Sequence, residues 1–216
     1  QELKKRNISV ESLIYDKKKF SKKNIDIHNK RTGGRLIFND LENLTNDIYR
    51  YDTENHNSID CLNYIKKNNY DLLINCESPR ILNEDIISLV KIGILNCHPG
   101  LLPSYRGCSC VEWAVLNDDP VANTIHFISA GIDEGDIIKT QTVTIGKRDN
   151  YIDLRIKVFI EGILLLSSVV EEYFLGKKVI TIKQDNKMAK YYKPIELNSL
   201  NQVIKKLEKG NYFYQT

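Results

Sequence analysis

The sequence predicts an α/β protein built on a mostly parallel, twisted sheet flanked by helices. Segments with apolar residues at helical spacing alternate with short apolar runs of strand length, and the connections between them are short. This order is typical of βαβ units, in which a crossover helix joins two parallel strands. A chain of 216 residues, 42% of them hydrophobic, can bury one domain core without disulfides or structural metals.

The first half of the chain carries the strand–helix alternation. Ile59, Leu62 and Ile65 have helical spacing, and Asn68-Asn69 supply a stop signal. A second helical segment ends at Gly93, directly before the apolar run "ILNCH". The predicted elements are a helix end at 2–6, a strand at 8–15, a basic loop at 16–24, a turn at 32–38, a short helix at 39–48, a helix at 57–69, a strand at 70–76, a helix at 81–93 and a strand at 94–98.

The second half predicts a helix at 108–119, a strand at 122–128, an acidic loop at 129–138, a strand at 139–145 and a long helix at 151–175. Within the long helix, the run "VFIEGILLLSSVV" is interrupted by Glu161 and is too short to span a bilayer, so a buried helix is expected. The main domain is predicted to cover 1–176. Residues 177–216 are predicted to form a small C-terminal extension, with a β-hairpin or strand pair followed by a helix.

Charge and cysteine content exclude several classes of protein. The 31 Lys and Arg against 28 Asp and Glu leave a net charge of +3, which does not favour a nucleic-acid partner. The first ten residues lack the apolar core of a signal peptide, and no membrane association is expected. Five cysteines without disulfide-scaffold spacing indicate a reducing cytoplasm. Cys108-Ser-Cys110 lacks further ligands at metal spacing, so no metal site is expected.

Asn96 and His98 are the first candidate functional pair. They lie two residues apart at the end of a predicted strand, so both side chains point to the same face, and Pro99-Gly100 then end the strand. In open α/β sheets, ligands bind outside the carboxyl ends of the strands. A carboxamide beside an imidazole suits oxyanion stabilisation and proton transfer. The alternative is that both side chains only satisfy backbone groups at a strand end.

A second candidate segment is the loop in "HFISAGIDEGDII", where Gly131 and Gly135 surround Asp133. Such a loop can place a carboxylate against an imidazole of a neighbouring strand and favour the charged imidazole. The alternative is that the acidic residues are ordinary turn formers. His126, inside the preceding strand, is predicted to be structural.

The two segments together resemble the folate-dependent formyltransferase family. "NCHPGLLPSYRG" has the Asn-x-His strand end before a Leu-Leu-Pro loop, and the Asp-x-Gly loop follows some 35 residues later, as in that family. The family includes glycinamide ribonucleotide transformylase, methionyl-tRNA formyltransferase and nucleotide-sugar N-formyltransferases. The resemblance is strongest over 71–145 and implies a Rossmann-like formyltransferase fold, with 1–176 as the catalytic domain.

The resemblance implies a catalytic group of Asn96, His98 and Asp133, with 10-formyltetrahydrofolate as formyl donor and no metal. A neutral amine would attack the formyl carbon, while Asn96 and protonated His98 stabilise the oxyanion. Asp133 would hold the imidazole and help to return a proton to the leaving folate.

Family members hold the pterin near the loops that correspond to "SPRILN" and to the Asp-x-Gly loop. The implied cofactor-binding residues are therefore Arg80, Ile81, Leu82, Gly131 and Ile132, mostly through their backbone. A plain strand-to-helix connection is the alternative, above all for Arg80.

Three further residues are candidates for contacts with the acceptor substrate. Tyr105 and Trp113 could stack on a nucleotide base, and Glu112 could face the amine. Core packing for Trp113 and a helix-surface position for Glu112 are the alternatives.

The resemblance leaves several acceptor substrates open. "HPGLLPSYRGCSCVEWAV" and the aromatic-rich tail are similar to sugar N-formyltransferases of the dTDP-4-amino-4,6-dideoxyglucose type, which act in O-antigen synthesis. Phosphoribosylglycinamide is the alternative acceptor. A tRNA acceptor is disfavoured by the balanced charge and by the few residues after Ile145. An inactive binding protein and a 10-formyltetrahydrofolate hydrolase also stay open.

The resemblance departs from the family at the N-terminus. Family members open with a strand and a glycine-bearing loop, whereas this sequence begins inside the helix that follows, so we expect the first strand to be missing from it. The aromatic-rich tail is expected to pair two copies of the chain in a homodimer, because it leaves an apolar face to cover.

Overall fold

The computed structural model describes residues 1–36 and 48–216. The short helix predicted over 39–48 and the end of the turn predicted over 32–38 therefore lie outside the described residues, apart from position 48.

Helices and strands alternate through most of the described chain. The helices are α1 (Glu2–Lys5), α2 (Lys22–Thr32), α3 (Ile59–Asn68), α4 (Glu84–Ser88), α5 (Cys110–Leu116), α6 (Tyr151–Phe174) and α7 (Leu197–Glu208), with a 3₁₀ turn at Asn186–Met188. The strands are β1 (Ser12–Asp16), β2 (Tyr49–Thr53), β3 (Leu72–Ile74), β4 (Gly93–His98), β5 (Arg106–Gly107), β6 (Ala122–Phe127), β7 (Ile137–Thr142) and β8 (Tyr191–Tyr192).

The α/β class is confirmed, and the central sheet is mixed. Its strand order is β3-β4-β6-β7, with β3 and β4 parallel and the other two pairs antiparallel. The pairs β1–β2 and β5–β8 are parallel. The change of direction at β6 matters for function, because it brings the residues of β6 opposite the end of β4.

Helix α2 and strand β2 were not predicted from the sequence. Helix α2 begins inside the segment that was assigned to a basic loop, because the Ser21 hydroxyl accepts a hydrogen bond from the backbone N–H of Asn24 and caps the helix. The helix ends at Gly33, whose φ of +58° lies in the left-handed region that favours glycine. The sequence gives no sign of strand β2, because it has no continuous apolar run; the strand forms through its parallel pairing with β1.

Helix α6 is only half buried, which corrects the expectation of a buried helix. Val158, Leu165 and Val169 face the core, whereas Ile160 and Leu164 are exposed. The helix packs across β4 and β6 with its apolar face and begins with an Asn150 capping box. In the described part of the chain, no helix has the length and apolar content needed to cross a membrane.

The C-terminal extension contains the predicted helix, α7, but its strand pairs with the main domain and forms neither the hairpin nor the strand pair that was the alternative. Its strand β8 pairs with β5 of the main domain, and Ile182 bridges Ile137 at the start of β7. Val203 and Leu207 of α7 join the same apolar cluster as Val111 of α5. The extension therefore shares a core with the preceding residues, and the division at position 176 stays a prediction.

Candidate functional site

Three polar side chains form a row across neighbouring strands at the carboxyl edge of β3 and β4. Asn75 directly follows β3, Asn96 lies on β4, and His126 lies on β6 directly opposite Asn96. The Asn75 carboxamide donates to Asn96 Oδ1 at 2.9 Å, and Asn96 Nδ2 lies 3.1 Å from His126 Nε2. His126 Nδ1 donates to the carbonyl oxygen of Phe127 at 2.7 Å, so Nε2 is the acceptor in the neutral ring.

This row determines how Asn96 is oriented. Because Asn75 donates to Asn96 Oδ1, the amide nitrogen must face His126 and the space in front of it. An amide nitrogen carries two hydrogens, and one is used by His126. The second is available to a ligand at the end of the sheet.

His98 lies two residues further along β4 and is buried, with its ring between two acceptors. Nε2 donates to the carbonyl oxygen of Tyr105 at 2.7 Å, and Nδ1 lies 3.4 Å from Asp133 Oδ2. Burial lowers the pKa of His98, although Asp133 and the Tyr105 carbonyl act in the opposite direction. The carboxylate thus favours the charged imidazole as expected, but burial outweighs it, and the neutral ring prevails near pH 7.

Asp133 connects the two histidines. One carboxylate oxygen, Oδ1, lies 3.7 Å from His126 Nε2, and the other accepts the backbone N–H of Gly107 at 2.8 Å. The residue has a φ of +55°, in the left-handed region that non-glycine residues seldom adopt. The loop therefore brings the carboxylate to the edge of the sheet at the expense of a strained backbone.

His126 is the functional candidate that the sequence reasoning missed. It is 2% exposed, and burial together with the nearby His98 lowers its pKa to about 4, with Asp133 opposing. A neutral His126 therefore accepts from Asn96 over the physiological pH range. The spacing of Thr124 and His126 could have shown that both face one side of the strand, but their partner on β4 depends on the register of the sheet.

A cavity of about 360 Å³ opens in front of this cluster. Asn96, His126 and Asp133 contribute polar groups to its wall, whereas His98 lies behind Asp133. The five residues proposed from the family resemblance for cofactor contacts all line the same cavity: Arg80, Ile81, Leu82, Gly131 and Ile132. Ile81 and Ile132 are 71% and 55% exposed, so both leave apolar surface open to a ligand.

Arg80 lines the cavity and is also fixed by hydrogen bonds to two neighbouring segments. Its Nε donates to Asp16 Oδ2 at 2.9 Å, and a terminal nitrogen donates to the carbonyl oxygen of Glu54 at 2.8 Å. Burial acts to raise the pKa of Asp16, but the backbone N–H groups of Lys18 and His56 and the Arg80 guanidinium outweigh it and lower that pKa. Arg80 thereby holds its loop against the ends of β1 and β2.

The three residues predicted to contact the acceptor lie away from this cavity. Tyr105 is 2% exposed, with its hydroxyl on Asp119 and its ring stacked on Tyr192, so it offers no free face to a base. Trp113 packs on Tyr192 and donates Nε1 to the carbonyl oxygen of Lys193. Core packing, the alternative given for Trp113, describes that ring better, and Tyr105 is packed in the same way.

Glu112 agrees with neither of its two interpretations, because it is fully buried rather than facing a substrate or solvent. Tyr151 donates its hydroxyl to Oε1 at 2.6 Å, and nitrogens of Arg31 and Arg155 lie 3.3 and 3.8 Å from the carboxylate. Burial acts to raise the pKa of Glu112, but Arg155, Arg31 and the Tyr151 hydroxyl outweigh it and keep that pKa low. Glu112 is therefore the anion of a buried ion cluster.

No group of three or more His, Cys, Asp or Glu side chains in residues 1–36 and 48–216 is arranged to hold a metal ion.

The fold and the polar side chains of Asn96, His126 and Asp133 define an α/β protein with a polar site at the carboxyl end of its sheet. The model of the formyl transferase family matches residues 4–170, so the chain belongs to this family and the resemblance of its two motifs is confirmed.

The chain is similar to longer curated proteins. Methionyl-tRNA formyltransferase of Methylacidiphilum infernorum is 32% identical over 154 residues, which are 71% of this chain and 48% of that protein. The chain spans half or less of the length of such curated relatives.

Solved structures share the fold. One is the formyltransferase PseJ from Anoxybacillus kamchatkensis in complex with UDP-4,6-dideoxy-4-formamido-L-AltNAc and tetrahydrofolate (21% identity, TM-score 0.59, 94% of this chain and 95% of that one). Another is phosphoribosylglycinamide formyltransferase from Bacillus halodurans (19% identity, TM-score 0.58, 80% and 87%).

Proposed function

We propose that the protein transfers a formyl group from 10-formyltetrahydrofolate to the amine of a nucleotide-linked amino sugar. The observation that carries the proposal is the cavity in which the Asn96 carboxamide and the Asp133 carboxylate converge, with His98 directly behind the carboxylate. Membership of the formyl transferase family supports this chemistry.

Asn96 stabilises the developing negative charge. Asn96 lines the cavity, and its carboxamide is oriented in advance by Asn75 and His126, so little reorganisation is needed when charge develops on an oxygen there. Preorganised donors of this kind commonly contribute about 3 kcal/mol to transition-state stabilisation.

His98 and Asp133 move the proton. The neutral His98 ring has its Nδ1 lone pair on the Asp133 side, so the pair can take up a proton released by an attacking amine. In the protonated pair both imidazole nitrogens have an acceptor, which offsets part of the desolvation of the charge. Asp133 faces the cavity and can then return the proton to the leaving group.

The donor fits the lining of the cavity. When bound, 10-formyltetrahydrofolate supplies the electrophilic formyl carbon. The exposed Ile81 and Ile132 offer apolar surface to a flat ring system, and Arg80, Leu82 and Gly131 complete the wall on either side. A cavity of about 360 Å³ is within the range of small-molecule sites.

A dTDP-linked 4-amino-4,6-dideoxyhexose, as used in O-antigen synthesis, is the proposed acceptor. PseJ, whose bound sugar carries a 4-formamido group, supports a 4-amino sugar and is similar to nearly the whole chain. Phosphoribosylglycinamide is the second candidate, because the Bacillus halodurans structure has a comparable TM-score. A cytoplasmic location and a homodimer formed through the tail, where Phe213 is 76% exposed, are further parts of the proposal.

One assay tests the function and its alternatives together. The protein is mixed with 10-formyltetrahydrofolate and, in turn, dTDP- and UDP-linked 4-amino sugars, phosphoribosylglycinamide or methionyl-tRNA, and the products are identified by mass spectrometry. A formylated amino sugar supports the proposal. If another acceptor is formylated instead, that acceptor is the substrate and the proposed amino sugar is wrong. Formate release without an acceptor indicates a hydrolase, and no turnover indicates a binding protein.

Variants connect the turnover to the site. Asn96→Ala and His98→Ala should each lose most turnover. Asn201→Ala, a change of the same kind on the exposed face of α7, should keep it. Near wild-type rates in Asn96→Ala or His98→Ala would contradict the assignment of the site.

A further inference from the structure

The backbone of the Asp133 loop is held from outside. Asp133 has a φ of +55°, and a Cβ atom on Gly135 would lie 1.8 Å from the carbonyl oxygen of Phe127. A non-glycine residue in the left-handed region is retained only where its surroundings hold it there. The loop therefore needs contacts that fix both its backbone and its carboxylate.

Gln184 of the C-terminal extension makes two of these contacts. Its Nε2 donates to the carbonyl oxygens of Asp133 at 2.9 Å and of Gly135 at 2.7 Å. Both amide hydrogens are thus used on the two carbonyls that flank Glu134. The side chain reaches the loop from 51 residues further along the chain.

Arg106 locks the other end of the same carboxamide. Gln184 Oε1 accepts from Arg106 Nε at 3.0 Å and from a terminal nitrogen at 2.8 Å. Arg106 is 1% exposed and also donates to Asn186 and Tyr191 of the extension. The four hydrogen bonds use both hydrogens and both lone pairs of the Gln184 carboxamide, so its orientation is determined.

The extension and the main domain thus hold Asp133 from two sides. Gln184 holds the carbonyl oxygen of Asp133, and Gly107, the residue after Arg106, donates its N–H to the carboxylate. The bridge between Ile182 and Ile137, with hydrogen bonds of 2.8 and 2.9 Å, places the chain just before Gln184 beside the start of β7.

We infer that Gln184 is a positioning residue for Asp133, so that the C-terminal extension contributes to the geometry of the catalytic site. The inference rests on the proposed formyl transfer for its kinetic consequences, but its geometry does not. Gln184 touches no reacting atom in this arrangement and acts through the backbone of the loop.

Kinetic measurements on variants distinguish the hydrogen bonds that Gln184 donates to the loop from those that it accepts from Arg106. Gln184→Glu keeps the length and an acceptor for Arg106, but its carboxylate has no hydrogen to donate to the two loop carbonyls. Gln184→Ala and Gln184→Glu should each lower kcat roughly tenfold to a hundredfold, the effect of a displacement of about 1 Å at a catalytic group, with KM changed less than about threefold. Gln202→Ala on the exposed face of α7 should keep the wild-type kcat. Restoration of kcat by Gln184→Glu would overturn the inference.

A titration of His98 by NMR gives a test that needs no turnover. The pKa of His98 is followed through its ring C–H signals in the wild type, Asp133→Asn, Gln184→Ala and the double variant, all of which retain His126. Removal of the Asp133 charge should lower the pKa of His98 in the wild type, and should have less than about half that effect in Gln184→Ala. If Gln184→Ala does not fold, Gln184→Met fills the same space without donors.

The two tests fail independently. An equal effect of Asp133→Asn in both backgrounds overturns the positioning role, whatever the activity. A reduced effect in a protein that formylates no acceptor supports the positioning role and refutes the proposed function.

Discussion

Acidification should destabilise the folded protein through His126. The ring is 2% exposed, and burial with the nearby His98 lowers its pKa to about 4, against an ordinary histidine pKa of about 6.5. Between these two values the unfolded chain binds a proton on this residue and the folded chain does not. The unfolded state therefore gains stability as the pH falls, by about 1.4 kcal/mol per pH unit.

The expected magnitude follows from this difference. At pH 5 the contribution of His126 amounts to about 2 kcal/mol, and near pH 4 it reaches about 3 kcal/mol. Buried His98 contributes with the same sign, since burial lowers its pKa as well. Carboxyl groups with lowered pKa values, such as Asp16, destabilise the fold only at more acidic pH, whereas burial raises the pKa of Glu161 and acts with the opposite sign, so the effect of His126 is read from the comparison with a variant that lacks it.

Urea denaturation at pH 7, 6 and 5, followed by circular dichroism, measures this effect. His126→Gln keeps an acceptor for Asn96 but does not titrate. Its free energy of unfolding should fall by about 2 kcal/mol less than that of the wild type between pH 7 and pH 5. Thr140→Ser on β7, a nearby change without a titrating group, should keep the wild-type dependence. If His126→Gln shows the full wild-type dependence, His126 already carries its proton in the folded state and the reasoning is refuted.

Three further outcomes are expected. Asp133→Asn keeps an acceptor for the Gly107 N–H but removes the charge beside His98, so kcat for formyl transfer should fall at least about a hundredfold in the mass-spectrometric assay; a smaller loss would argue against proton transfer through this residue. Asn75→Ala removes the donor that orients the Asn96 carboxamide, so the amide group can rotate and kcat should fall about tenfold, which corresponds to the free energy of about one hydrogen bond. An unchanged kcat would show that Asn75 is not needed for this orientation. Glu112→Gln leaves the charges of the partly buried Arg31 and Arg155 uncompensated and should cost about 2 kcal/mol, or roughly 4–8 °C in Tm by calorimetry; a Tm equal to that of the wild type would contradict the ion cluster.

Much of the site could be predicted because its signals are local. Asn96 and His98 share a face through their spacing of two on a strand, and Pro99 marks where that strand ends. The glycines around Asp133 indicate a tight acidic loop at a second strand end. These features need no knowledge of which strands are neighbours.

The partners of these residues could not be predicted in the same way. His126 meets Asn96 only because β6 runs antiparallel to β4 in one particular register. Glu112 follows a helical pattern that is compatible with an exposed position, and its burial depends on Arg31 and Arg155 from two other helices. Periodicity reports which residues share a face, but not what covers that face.

The sequence by itself determined the α/β class and the order of most strands and helices, and it predicted the amide, imidazole and carboxylate of the candidate site. Only the tertiary structure decided what orients them: Asn75 for Asn96, His126 for the same amide, and Gln184 for the Asp133 loop. These contacts join residues 21, 30 and 51 positions apart. The physical reason is that spacing along a chain sets the direction of a side chain locally, whereas hydrogen bonds between distant segments form only once the sheet register and the packing of the extension have brought them together.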